Sequence, residues 1–185
     1  MSTHKKVIYL PRAEVEQFVP PPRSHLISIS DGETDRAQID RSRWDSVSFH
    51  TFVDGGYDEG IVTACGAHFL STYASYFLPE SAQAMRDRIA SIVDQADLIV
   101  VNCIYGRSRS AAVARYIHEM YGFKIDKAPL EANMTVYRLL IQDPSLLMAC
   151  RQARVAGEAS DAGGEDMSIA GRISRWLGLG GTDHA

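Results

Sequence analysis

The sequence predicts an α/β layer fold, with a central, mostly parallel sheet of four to five strands flanked by helices. Three observations carry this. Short strand-like stretches alternate with helical patterns along the chain. The run "DLIVVN" (97–102) holds four consecutive apolar residues, Leu98 to Val101, as in a strand buried mid-sheet. The segments on either side of it space their apolar residues at helical period.

Taken in order, "KVIYL" (6–10) reads as a strand and "PRAEVEQF" (11–18) as a helix opened by proline. "VPPPR" (19–23) must be extended, because three consecutive prolines forbid helix. "HLISIS" (25–30) and "SVSFHTF" (46–52) alternate like strands, separated by a region that opens on the turn cluster "DGETD" (31–35). "VDGGYDEG" (53–60) is a loop, and the aromatic-rich stretch 61–78 is expected as helix. Residues 80–96 put Met85, Ile89, Ile92, Val93 and Ala96 on one helical face. Residues 110–121 follow with Val113, Ile117 and Met120 at helical spacing and Gly122 placed to cap them. A last helix is expected over 128–144, ending near Pro144 and followed by "SLLMACRQAR".

At 185 residues the chain is long enough for one domain with a real core, expected over 1–154. "VAGEASDAGGED" (155–166) has too little apolar surface to order itself and reads as a flexible linker. Residues 167–185 form an amphipathic tail segment whose stripe is Ile169, Ile173, Trp176 and Leu177. With only Arg172 and Arg175 beside the stripe and Gly171 interrupting it, the segment suits contact with a domain or partner better than a membrane.

Composition narrows the function. A content of 45% apolar and 23% charged residues describes an ordinary globular protein, and a net charge of −4 argues against a nucleic-acid binder. No stretch approaches the roughly 18 apolar residues of a membrane span. The apolar run before Pro11 is too short for a signal-peptide core, so a cytoplasmic protein is expected. Cys65, Cys103 and Cys150 form no CxxC pair, and the six histidines form no HxH or HxxxH pair. Neither a disulfide framework nor a metal or other cofactor is signalled.

The chemistry concentrates in "CIYGRSRS" (103–110), a Cys-x5-Arg-Ser run where the buried strand turns into a helix. A tight loop at a helix N-terminus directs backbone N–H groups inward and forms a cup for a phosphate-sized anion. The same groups stabilise a thiolate at Cys103. Gly106 lets the loop curl. Arg109 returns over the cup with a planar fork that holds two phosphoryl oxygens. Ser110 is placed to hydrogen-bond the sulfur. Ile104, Tyr105, Gly106, Arg107 and Ser108 complete the cup with Arg109. Such a set suits in-line attack of sulfur on a phosphate monoester. The plainer reading is a buried structural cysteine followed by two solvated arginines.

"CIYGRSRS" resembles the C-x-x-G-x-S-R-S signature of the cysteine-dependent protein tyrosine phosphatases, in their dual-specificity branch. "NMTVYRL" is similar to the family's downstream Asn-x-x-apolar-x-x-Leu helix through Asn133, Val136 and Leu139. "LISISDG" and "WDSVSFHTFVD" are similar to compact bacterial and phage-type members. The resemblance covers about residues 5–145. It implies a phosphocysteine mechanism without a cofactor, with Cys103 as nucleophile, Arg109 as phosphate ligand and Ser110 assisting thiolate departure. It also implies a general acid from the loop before the signature, which Asp54 or Asp58 would supply. Most members have His where this chain has Asn102. The implied substrate is a phosphorylated protein. Arg107 on the rim leaves open a phosphoinositide, phospholipid or other small phosphate ester, and Asn102 together with the unsettled choice of acid leaves open a weakly active phosphate-binding module.

Overall fold

Five strands, Lys6–Pro11 (β1), Ser24–Ser30 (β2), Ser46–Thr51 (β3), Leu98–Cys103 (β4) and Lys124–Ile125 (β5), form one sheet in the order β3-β2-β4-β1-β5. Every pairing is parallel. The structure, a computed structural model, describes residues 5–176, with side chains through residue 160. The helices are Arg12–Val15 (α1), Glu59–Cys65 (α2), Phe69–Thr72 (α3), Pro79–Ile92 (α4), Arg109–Tyr121 (α5), Met134–Leu140 (α6) and Pro144–Trp176 (α7). No helix among the described residues is long and apolar enough to cross a membrane.

The period of two along each strand divides the core. Val7, Tyr9, Ile27, Ile29, Ile99, Val101 and Cys103 face the larger cluster, where α4, α5, α6 and the start of α7 pack. Leu26 and Val100 face the smaller one, closed by Val15, Ala37 and Trp44. The face expected over 80–96 is buried, at Met85, Ile89 and Ile92 within α4 and at Val93 and Ala96 in the turn beyond its end. In α5 Val113 and Ile117 of the expected stripe are buried, whereas Met120 near the helix end is exposed.

Some elements depart from expectation. The helix expected over 11–18 is regular only in α1 and continues as turns to Phe18, whose N–H donates to the Val15 carbonyl. The stretch 61–78 is not one helix. α2 gives way at Gly66, with φ of 51°, to a 3-10 turn over Gly66–His68 and then α3. β5 has two residues, too few to leave a pattern. The helix expected over 128–144 starts only at α6, where Asn133 Oδ1 accepts the Val136 N–H at 3.1 Å. It stops before Gln142, whose φ is 60°, and α7 opens at Pro144 with Asp143 capping the Ser145 and Leu146 N–H groups.

Residues 155–166, expected as a flexible linker, lie inside α7 instead. The helix seats against the 66–68 turn through Gly157, where a Cβ would stand 3.1 Å from the Ala67 carbonyl oxygen. The tail segment expected at 167–185 falls on residues whose side chains lie outside the described ones.

α2, α6 and α7 meet at Arg138, which bonds both oxygens of Glu59 and donates through Nε to Asp143 Oδ2 at 2.9 Å. Hydrogen bonding from Arg138 holds the Glu59 carboxyl down at about 2 and lowers that of Asp143 as well. A depressed folded value means stabilisation that is complete above the ordinary carboxylate range and lost as pH falls toward 2. Thermal melts of the wild type between pH 5 and pH 2.5 should therefore show a falling midpoint, with a shallower fall in Arg138→Met. Parallel acid limbs for the two proteins would show that this network does not contribute.

Candidate active site

In a parallel sheet the carboxyl ends of all strands reach one edge, where ligands bind. Cys103 closes β4 there, level with Pro11 of β1. β2 and β3 end beside it in Ser30 and Thr51, so Asp31 and Phe52 follow at the same edge. The loop 104–108 then turns directly into α5. It is seated on β1, since the Arg12 N–H donates to the Ile104 carbonyl at 3.2 Å. Gly106 makes this possible. Its φ is 62°, and a Cβ would lie 2.1 Å from the Pro11 nitrogen, so no other residue fits without moving the strand.

Cys103 is buried, and its sulfur lies 3.2 Å from Ser110 Oγ. Burial is the largest single influence on the thiol and opposes its ionisation. The Ser110 hydroxyl and the backbone N–H groups of Ser110, Arg107 and Gly106 together outweigh burial, and the thiol sits below its ordinary value. Asn102 is not among these groups. It lies on the opposite face of β4, buried, with no partner for its Oδ1 among the described residues. The amide cup therefore lowers the thiol without a cation at position 102.

Arg109 is only 1% exposed. Its Nη1 donates to Asp31 Oδ1 at 2.5 Å and to the Phe52 carbonyl. Its buried Nε has no hydrogen-bond partner among the described residues and lies 3.8 Å from Asp54 Oδ2. The sequence marks Asp31 only as a turn residue. Its one signal in the sequence is its place directly after a strand, where a parallel sheet delivers it to the site edge.

The two candidate acids separate. Asp54 reaches the cup, where Oδ1 accepts Ser108 Oγ at 2.7 Å and Asn133 Nδ2 at 3.2 Å. Asp58 instead caps α2, accepting the Ile61 N–H at 2.9 Å, a role worth about 1 kcal/mol. On the rim, Tyr105 is exposed, and Arg107 pairs through Nε with Glu131 at 3.4 Å. Ile104 is half-buried. Beside Gly106 and Arg107 opens a pocket of about 200 Å³, walled by Tyr9, Lys127, Ala128, Leu130 and Glu131. Among the described residues no group of three His, Cys, Asp or Glu side chains gathers to hold a metal ion.

A scan against protein-family models and a search of curated proteins found no match to this chain.

The lowered thiol gives a direct test. Alkylation of Cys103 by iodoacetamide near pH 6.5, mapped by mass spectrometry, should outpace that of Cys150, whose thiol burial pushes up. Ser110→Ala removes one stabilising donor and should move the alkylation profile of Cys103 to higher pH. An unchanged profile would show that the hydroxyl does not act on the sulfur.

Proposed function

We propose that this chain is a phosphomonoester hydrolase of the dual-specificity phosphatase kind, working through a phosphocysteine intermediate on phosphorylated proteins. One observation carries the reading. A thiol held below its ordinary value lies inside a ring of backbone N–H groups, and the next helix begins with a buried arginine that keeps an unpartnered N–H.

The chemistry follows from the atoms present. Cys103 Sγ, as thiolate, attacks phosphorus while the bond to the ester oxygen breaks. The loop N–H groups and Arg109 hold the non-bridging oxygens as charge redistributes. Asp54 gives its proton to the departing oxygen. The Asp54 carboxylate then takes a proton from water as that water attacks phosphorus. The sulfur–phosphorus bond breaks, the Ser110 hydroxyl stabilises the returning thiolate, and inorganic phosphate is released.

The rim favours a phosphoprotein over a polyanionic lipid headgroup. Arg107 is matched by Glu131, and Asp31 and Asp54 add negative charge at the cup. Among the described residues a second or third phosphate would meet only Lys127 and the Glu131-paired Arg107 beside the cup. Tyr105 and Leu130 are exposed beside the cup and offer apolar surface to a peptide chain. Against a weakly active binding module, the thiol is lowered without help from Asn102, and Asp54 stands at the cup where a general acid is needed.

Hydrolysis of para-nitrophenyl phosphate in the presence of a chelator is the first measurement. Cys103→Ser should abolish turnover and retain binding of inorganic phosphate. Arg109→Lys should lose roughly 10²-fold or more in kcat/KM, as a point charge cannot replace the two-pronged donor. Wild-type turnover in Cys103→Ser would rule out the covalent mechanism. Faster turnover of phosphoinositides than of phosphopeptides would reverse the substrate assignment.

A further inference from the structure

The loop that carries Asp54 contains Gly55 and Gly56, a composition that suggests movement. Its surroundings describe something else. Val53 N–H donates to the Ser75 carbonyl at 2.9 Å. Tyr57 N–H donates to Thr135 Oγ1 at 2.8 Å, and the same hydroxyl donates back to the Tyr57 carbonyl at 2.8 Å. A Cβ on Gly55 would stand 2.4 Å from Tyr76 Cε1, and one on Gly56 3.1 Å from Thr135 Oγ1. The glycines let neighbours approach and do not free the chain.

Asn133 ties this loop, the cup and the start of α6 together by three separate groups. Its backbone N–H donates to the Ser108 carbonyl at 3.2 Å. Its Oδ1 caps α6 at the Val136 N–H. Its Nδ2 donates to the Gly55 carbonyl at 3.0 Å and to Asp54 Oδ1 at 3.2 Å. The amide orientation is determined by chemistry, since the Val136 N–H can only donate and the Gly55 carbonyl can only accept.

We infer that Asn133 is a positioning residue that holds Asp54 against the cup before substrate arrives, so that the acid loop works without closing. The inference rests on the proposed phosphatase reading and deepens it. Asp54 Oδ1 already accepts two hydrogen bonds, from Ser108 and Asn133, so it has little capacity left to carry a proton. The transferable proton belongs on Oδ2, the oxygen nearer Arg109 Nε and the phosphate it would bind. Loss of the Asn133 amide frees Oδ1 to take the proton and releases the loop from the cup at Gly55.

Asn133→Ser tests this, because serine caps a helix as well as asparagine does but cannot reach with an amide. With a phosphotyrosine peptide, kcat should fall roughly 10-fold at nearly constant KM, inside the ~10²–10⁴ that a whole general acid contributes. With para-nitrophenyl phosphate, whose leaving group departs with little help, the variant should stay within about twofold of wild type. In an Asp54→Asn background, Asn133→Ser should add no further loss on the peptide. Equal losses on both substrates, full additivity with Asp54→Asn, or wild-type peptide turnover in Asn133→Ser would each overturn the inference. If Asp54→Asn itself shows no leaving-group dependence, the acid assignment fails first and the role of Asn133 fails with it.

Discussion

Arg109 carries a permanent positive charge and leaves only 1% of its surface to solvent. Unpaired, such a charge would cost several kcal/mol. The Asp31 carboxylate and the Phe52 carbonyl answer that cost, and both stand just past the ends of neighbouring strands. The first residue of α5 is thereby tied to the ends of β2 and β3, while Gly106 presses the preceding loop onto the end of β1. Three strand ends hold one loop. The position of Cys103 relative to Arg109 follows from sheet register as much as from the loop's own sequence.

The opposite wall of the site hangs from the start of α6. Asn133 and Thr135 take up polar groups of the 54–57 segment that a tight, partly buried loop would otherwise leave unpaired. Glycines in a loop signal either freedom or close approach, and the sequence looks the same in both cases. Here Tyr76 and Thr135 occupy the space a side chain would need. The start of α6 thus becomes the bracket between the cup and Asp54. Arg138, farther along that helix, reaches Glu59 of α2 and fastens the far end of the same segment.

The electrostatics divide in the same way. Thiol depression at Cys103 needs nothing remote, because its donors lie within seven residues of the sulfur. Neutralisation of the rim needs a long-range partner, Glu131 for Arg107. A basic residue in the signature says little about substrate charge until that partner is known.

What the sequence by itself determined is what local patterns encode. Alternation and apolar runs marked β1, β2, β3 and β4, a 3.6-residue period marked α4 and α5, and the Cys-x5-Arg-Ser run placed the cup at their junction. Each of those signals spans fewer than about 15 residues, the range over which pattern and capping rules act. Tertiary structure decided the rest. It set Asp54 against the cup and Asp58 as the cap of α2, a difference invisible in "FVDGGYDEG". It brought Asp31 to Arg109 and Asn133 to Asp54, pairs separated by 78 and 79 residues. It also placed 155–166 inside α7, where Gly157 lies against the 66–68 turn. In each case the deciding partner lies far along the chain, and only the folding of a parallel sheet brings it near.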